Sequence, residues 1–280
     1  MSCPGSPCNK PHRIPCLTPR GSATVKVDPY SAAIVGLAQP TPPTATDIQG
    51  LFNRIAPVYD RLNERLSFGL HRVWKQMAVG WSGAAPGHTA LDVCCGSGDL
   101  TLMLARSVGA TGTVSGVDFS ADLLAVAAER WGRRSPLMPP ATLHWVQGDA
   151  LALPIETATI DAATMGYGLR NLTDIPQGLE ELRRVLKPGA KAAILDFHRP
   201  QGALAQQLQR WYLEALVVPT ARDLGLTDEY AYIGPSIDRF PTGPEQVALA
   251  RQAGFAQAVH YPIAGGLMGV LVVGRGYDRI

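Results

Sequence analysis

The stretch Leu91-Asp92-Val93-Cys94-Cys95-Gly96-Ser97-Gly98-Asp99 constrains this chain more than any other. The lead-in from His88 to Val93 is apolar, with Thr89, Leu91 and Val93 as strand formers, and Leu100, Leu102, Met103 and Leu104 follow at spacings that suit a helix. A strand that turns through glycines into a helix exposes backbone N–H groups at the helix start and can hold a polar ligand closely. The dinucleotide form of this turn is G-x-G-x-x-G. Here Thr101 stands in the third glycine's place, and an acidic residue, Asp92, precedes the pair Gly96 and Gly98. A plain strand–helix connection is the alternative for a glycine turn taken alone.

Strand and helix patterns alternate from residue 88 onward. Thr113 to Val117 reads as a second strand ending at Asp118, and Ser120 caps a helix with Leu123, Leu124, Ala127, Ala128 and Trp131 on its inner face. Leu143 to Val146 makes a third strand, ending in Gly148-Asp149-Ala150, and Ile160 to Met165 a fourth, followed by Gly166 to Asn171. Asp174 with Gln177 suggests a capping box for a helix that runs to Pro188-Gly189. Lys191 to Phe197 is a fifth strand, Leu204 to Val218 an amphipathic helix, and Glu245 to Ala253 a short helix. Val259–Ile263 and Leu267–Val273 then bracket Gly265-Gly266 as a hairpin. The fold class is α/β: a mostly parallel sheet of seven strands covered on both faces, with a C-terminal antiparallel hairpin.

Ahead of this sheet, Ile48 to Trp81 reads as a layer of two or three helices. One apolar face holds Leu51, Phe52, Ile55, Val58 and Tyr59, and a second holds Leu66, Phe68, Leu70, Val73, Trp74 and Met77. Tyr59, Asp60, Asn63, His71, Arg72 and Lys75 are polar groups woven into it, each expected to be solvated or capping. Residues 1–45 differ. Their scattered prolines leave no periodicity, and Lys10, Arg13, Arg20 and Lys26 face a single acid, Asp28. A basic, acid-poor leader of this kind resembles an organelle transit peptide, with a plain disordered tail as the alternative, so the folded domain is expected at 46–280.

Composition removes several classes. A net charge of +2 without a dense Lys/Arg stripe gives no case for a nucleic-acid partner. No run of about 18 apolar residues is present to span a membrane. Five cysteines without C-x-x-C spacing form neither a zinc site nor a disulfide framework, and no His/Asp/Glu cluster has metal-ligand spacing, so no metal is expected.

Ligands of open α/β sheets lie beyond the carboxyl ends of the strands. The residues at those ends are Asp92 to Gly98, Asp118, Asp149 and Gly166 to Asn171. Asp118 falls 26 residues after Asp92, near the distance at which a carboxylate reaches a ribose diol from the glycine turn. Asp149 could accept from an adenine amino group. Each Asp alone is as compatible with a strand-end or capping role; three at successive strand ends point to one ligand.

The Asp92–Gly98 layout resembles the D-x-G-x-G-x-G loop of S-adenosylmethionine-dependent methyltransferases, with Cys94 in the first glycine's place. The segments Phe52–Asp60, Leu66–Lys75, Thr164–Asn171 and Val185–Gly189 are similar to signatures of the ubiquinone/menaquinone biosynthesis C-methyltransferases, over about residues 47–275. Cys94-Cys95 before Gly96 and the pair Gly166-Tyr167 resemble the plant and cyanobacterial branch that methylates 2-phytyl-1,4-naphthoquinol, the last ring step to phylloquinone. The resemblance implies a Rossmann-like class I methyltransferase fold and S-adenosyl-L-methionine as methyl donor. It places Asp92, Gly96, Ser97, Gly98, Asp118, Phe119, Asp149, Ala150 and Gly166 around that cofactor. Arg170, Asn171 and Tyr59 then serve the acceptor, Arg170 as the cation for a developing naphtholate. The partner is a prenylated naphthoquinol. Trp211, Leu213, Leu216 and Val217 are candidates for peripheral membrane contact, and a homo-oligomer stays open. The location implied is the chloroplast, or the cytoplasm of a cyanobacterium. The alternatives are another prenylated quinol, such as demethylmenaquinol or a ubiquinone precursor, a nucleotide-dependent dehydrogenase, and a non-catalytic scaffold of a quinone-synthesis complex.

Overall fold

The computed structural model describes residues 69–133, 141–212 and 233–277, together with Gly50, residues 214–215 and residue 219. In chain order these build helix α1 (Leu70–Trp81), strand β1 (Thr89–Val93), α2 (Asp99–Val108), β2 (Thr113–Asp118), α3 (Ala121–Gly132), β3 (Thr142–Gln147) and β4 (Ile160–Gly166). A 3₁₀ turn (Leu169–Asn171) leads to α4 (Ile175–Val185), β5 (Leu186–Phe197), α5 (Ala203–Tyr212), α6 (Ile233–Arg239), α7 (Gly243–Gln252), β6 (Gln257–Ile263) and β7 (Met268–Gly274). The leader expected at residues 1–45, Tyr59, and Leu213, Leu216 and Val217 lie outside the described residues.

The seven strands form one sheet in the order β3-β2-β1-β4-β5-β7-β6. β1 to β5 are parallel to one another, and β7 runs antiparallel between β5 and β6. The chain therefore winds outward from β1 through β2 to β3 and resumes on the other side of β1 with β4, so the order reverses between β1 and β4. A parallel strand covered on both faces must be apolar at successive positions. In β1, Ala90, Leu91, Asp92 and Val93 are all buried, and only Asp92 is polar. One core layer joins Leu91, Val93, Met165 and Ile194 of the sheet to Leu179 and Leu182 of α4. The other joins Ala90 and Val114 to Leu100, Leu104 and Val108 of α2. Burying each Leu or Val contributes about 1.5–3 kcal/mol.

Three expectations change in detail. The helix expected to reach Pro188-Gly189 ends at Val185, and β5 already begins at Leu186, opposite Ile160. The next pairing is Ala162 with Lys191, so Pro188 and Gly189 sit in a bulge, where a residue without an N–H costs the ladder nothing. Asp174 does accept from the Gln177 N–H, but the Gln177 side chain donates to the Leu151 carbonyl 3.2 Å away, which makes a single cap rather than a box. The reciprocal box is at Thr242 and Glu245. Finally, α1 buries His71, Lys75, Ala78 and Val79, whereas Leu70 and Val73 are each 51% exposed. Of the face counted as apolar, Leu70 and Val73 turn outward while Trp74 packs against the core and Met77 is half-buried, and the buried positions include a histidine and a lysine.

Candidate cofactor and acceptor site

The carboxyl ends of β3, β2, β1 and β4 meet around one cavity. Its wall takes Gly148, Asp149 and Ala150 from the end of β3, Asp118 and Phe119 from β2, and Cys94, Gly96 and Ser97 from the turn after β1. Gly166, Tyr167, Gly168 and Asn171 follow β4, and Lys75 of α1 with Asp99 and Leu100 of α2 completes that side.

The glycine turn is built from left-handed residues. Gly96 has φ 53°, Gly98 φ 87° and Cys94 φ 54°. Cys94 occupies the place where the methyltransferase loop has its first glycine, and its positive φ is the reason glycine suits that place. A side chain on Gly98 would start 2.8 Å from the Trp145 ring, so that glycine is required by packing within the fold as well as by the turn. Gly168 is similarly fixed: a Cβ there would lie 2.7 Å from Cys94 Cβ and 2.8 Å from its Sγ.

The three strand-end acids differ. Asp92 is fully buried beneath the turn and accepts from Thr101 Oγ1 at 2.7 Å and Thr164 Oγ1 at 2.8 Å. Burial pushes its carboxyl up to about 7, against the pull of the two hydroxyls. This explains Thr101 in the third glycine's place: it supplies a donor to Asp92. Asp118 accepts from Gly96 N–H at 2.8 Å and Ser120 N–H at 2.9 Å, with the Phe119 N–H as a further donor. Burial raises the Asp118 carboxyl in spite of these bonds. An ionised carboxylate offers about four lone-pair sites, so one remains for a ligand. Asp149 is exposed, lines the cavity, and accepts from Leu151 N–H at 2.9 Å.

A charged cluster at the start of α2 had no counterpart in the sequence expectations. Lys75 Nζ lies 2.6 Å from Asp99 Oδ2, and Arg130 Nη2 lies 2.6 Å from Asp99 Oδ1. Arg130 Nη1 also donates to the Ser97 carbonyl at 2.8 Å. Burial would raise the Asp99 carboxyl, but Lys75 and Arg130 hold it at about 2. The available signal was that Lys75 shares a helical face with His71, Ala78 and Val79, which an even count of apolar residues does not reveal.

Arg170 requires a correction. Its Nη1 donates to Asp196 Oδ1 at 2.7 Å and to the Tyr167 carbonyl at 2.9 Å, with the two side chains 9% and 4% exposed. Its backbone N–H reaches Asp196 Oδ2 at 3.1 Å. The guanidinium is matched by a buried carboxylate and is not among the cavity-lining groups, because Asp196, at the end of β5, draws it into the fold. Asn171 does line the cavity. Its Nδ2 donates to the same Tyr167 carbonyl at 2.9 Å, and its Oδ1 is buried with no hydrogen-bond partner among the described residues. No group of three or more His, Cys, Asp or Glu arranged for a metal is found among the described residues.

A parallel sheet that reverses between β1 and β4, an antiparallel β7 beside β5, and a ligand cavity at the reversal define the Rossmann-like fold of class I methyltransferases. A SAM-dependent methyltransferase from Aquifex aeolicus shares this fold with a TM-score of 0.53 at 20% identity, over 71% of this chain and 88% of that one. The family model described as the ubiE/COQ5 methyltransferase family matches residues 42–275, and the chain belongs to that family. It is 63% identical over 229 residues to the 2-phytyl-1,4-naphtoquinone methyltransferase of Nostoc punctiforme, covering 82% of this chain and 98% of the relative. It is 49% identical over 225 residues to the 2-phytyl-1,4-beta-naphthoquinone methyltransferase, chloroplastic, of Arabidopsis thaliana, covering 80% and 86%.

Proposed function

We propose that this chain methylates the ring of 2-phytyl-1,4-naphthoquinol with S-adenosyl-L-methionine as donor, the ring-methylation step that completes phylloquinone. The observation that carries this reading is the near full-length match to relatives named for that activity. S-adenosylmethionine supplies an electrophilic methyl group on a sulfonium. On the protein side, Asp118 keeps a lone pair for a ribose hydroxyl, and Asp149 sits at the neighbouring strand end for the base. Phe119 and Ala150 flank that end, while Gly96 and Ser97 let the backbone approach the ligand. Asp92 acts from below, fixing Thr101 and Thr164 on either side of the turn.

The acceptor is a ring carbon, which becomes nucleophilic once a quinol O–H gives up its proton and naphtholate charge spreads into the ring. The reduced substrate is therefore required. After the methyl moves, S-adenosylhomocysteine leaves and the proton on that ring carbon is lost to solvent, restoring the aromatic quinol. Asn171, which lines the cavity, is assigned to one quinol oxygen, and Tyr59 to the second. Arg170 is a positioning residue: it and Asn171 share the Tyr167 carbonyl, so the Asp196–Arg170 pair holds Asn171 in place. Positioning two bound partners for in-line transfer accounts for much of the rate.

The phytyl tail calls for an apolar surface. Leu70 and Val73 of α1 and Trp211 of α5, the last 62% exposed, support peripheral contact with a membrane. No helix among the described residues is long and apolar enough to cross one. The basic leader and the chloroplastic name of the Arabidopsis relative support a plastid location for a plant or algal source, and the Nostoc relative a cytoplasmic one for a cyanobacterium.

The test is methyl transfer by the purified protein to a panel of reduced quinols. Ring-methylated product from 2-phytyl-1,4-naphthoquinol, absent when the quinone is left oxidised, is expected. Preferential transfer to a benzoquinol, or product from the oxidised quinone, would overturn the reading.

A further inference from the structure

Away from the cavity, at the end of β5, two imidazoles meet. The ring centroids of His198 and His260 are 5.1 Å apart, with the planes 35° from parallel, and neither ring lines the cavity. His198 directly follows β5 and His260 stands on β6, with β7 between the two strands. Gly269 of β7 makes the meeting possible: a Cβ there would lie 2.5 Å from His260 Nε2 and 3.5 Å from His198 Cβ. Gly243 does the same for His260 on its other side, where a Cβ would lie 2.8 Å from Nδ1. His198 is also a mooring point. Its N–H donates to the Leu267 carbonyl at 3.1 Å, and its own carbonyl accepts from Gln209 Nε2 of α5 at 2.7 Å. The placing of the two rings therefore bears on how α5 is tied to the sheet.

This meeting place tolerates no charge. His198 Nδ1 is buried with no hydrogen-bond partner, and a protonated imidazole needs an acceptor at both nitrogens. His260 lies against Gly243, the first residue of α7, where the helix dipole is positive and disfavours a cation. Burial pushes the His260 imidazole down to about 4, His198 adding to the effect, and burial lowers His198 as well. The charges on the surrounding elements do not offset this. Asp196 of β5 is paired with Arg170, and Arg199 donates to the Phe240 carbonyl at 3.4 Å. Glu245 of α7 accepts from Thr242 N–H at 2.7 Å and Oγ1 at 2.8 Å. Arg210 of α5, Asp238 and Arg239 of α6 and Arg251 of α7 are the other charged residues there, the Tyr261 ring of β6 packs on Trp81, and β7 carries no charge. None of these carboxylates raises either imidazole. We propose that His198 and His260 form a pH-operated latch: neutral, they hold α5 and the β6–β7 hairpin together at the end of β5, and protonation drives them apart and loosens α5. That helix presents Trp211, so the latch sets the pH range over which the apolar surface assigned above to membrane contact is held in place. The latch itself is independent of the identity of the acceptor.

The sign follows from the lowered imidazoles. Above 6.5 the rings are neutral whether latched or not, and the latch contributes fully; from 6.5 down to about 4 the parted rings take up protons that the latched pair refuses, so the latch weakens as pH falls. Asp92 acts in the opposite sense over this range, so the measurement has to be local. Amide hydrogen exchange on the full-length protein, corrected for its intrinsic pH dependence, should quicken about 10–30-fold in residues 198–212 and 257–268 between about pH 8 and pH 5. Exchange in α2 and α4 should change less than about twofold. His260→Phe, which keeps an aromatic ring over Gly269, should remove most of that local rise, and His260→Gln, which cannot hold a charge, should do so even if phenylalanine fits poorly. In the wild-type protein, nitrogen-15 imidazole spectra should show both rings titrating below the usual 6.5. Imidazoles that titrate at 6.5 or above, a rise spread evenly over the sheet, or a local rise unchanged in both variants would overturn the latch.

Discussion

The carboxyl of Asp92 lies under the glycine turn with two threonine hydroxyls on it and no exposure to water, and its acidity carries a thermodynamic consequence. Burial lifts it from 3.8 to about 7. Between those values the folded protein holds a proton that the unfolded chain has released, so stability falls as pH rises from about 4 to about 7. Asp92→Asn removes the titration. Its melting temperature, relative to wild type, should therefore climb steadily from pH 4.5 to pH 8; a constant offset across a thermal-melt series would count against it. Arg170 belongs to the same scale. Removing one partner of a buried ion pair leaves the other charged and unpaired, at a cost of about 3–5 kcal/mol. Arg170→Ala should thus lose stability on that order in urea titrations, and Arg170→Lys, which keeps the charge but not the planar fork, should lose less. If Arg170 positions Asn171, turnover should fall in the folded Arg170→Ala fraction while S-adenosylhomocysteine affinity holds. Normal turnover in that fraction would leave the arginine a purely structural role.

At the scale of elements, the turn after β1 and the turn after β4 touch through Cys94 and Gly168. The Cys94 thiol occupies the space a side chain at 168 would need, so the two turns that carry the two halves of the site are packed as one piece. Gly168→Ala should cost about 1–3 kcal/mol from this overlap. Cys94→Gly clears the space and also relieves a non-glycine residue at φ 54°. The double variant should recover at least half the loss, a coupling that a double-mutant cycle reads directly. Additive losses would mean that the turns are independent. A second inter-element link is Asp99, which ties α1 through Lys75 and α3 through Arg130 to the start of α2. One face of the site is thereby braced by charges drawn from three separate helices.

For the whole molecule, the family match begins at residue 42, close to where the proline-scattered, acid-poor leader gives way to periodic sequence. A truncation starting at Thr46 should keep methyl-transfer activity and melting temperature, because residues 1–45 carry no apolar pattern with which to pack. In a plant or algal host the same truncation should lose plastid import. Loss of folding in the truncated protein would make the leader part of the domain. The sheet itself places every element of the cavity at one edge, since parallel strands all end on the same side and the order reverses at β1 and β4.

Much of this was legible in the chain alone, for a local reason. Strand and helix periods, the Gly96–Gly98 turn, the Ser120 cap and the acids Asp118 and Asp149 at strand ends are each written within a few consecutive residues, and parallel topology then brings the strand ends together. What tertiary structure alone decided rests on partners far apart in sequence. Thr164 reaches Asp92 across 72 positions, Asp196 reaches Arg170 across 26, and Asp99 reaches Lys75 across 24. No local pattern announces such partners, and they determine whether a charge is spent inside the fold, as for Arg170, or brought to the cavity wall, as for Lys75. The face that α1 buries is of the same kind: its lysine goes inward and its leucine outward because Asp99 and the cavity wait on one side. Burial and pairing are properties of the assembled sheet and its helices, so the residues that complete the site could be assigned only after the chain had folded around them.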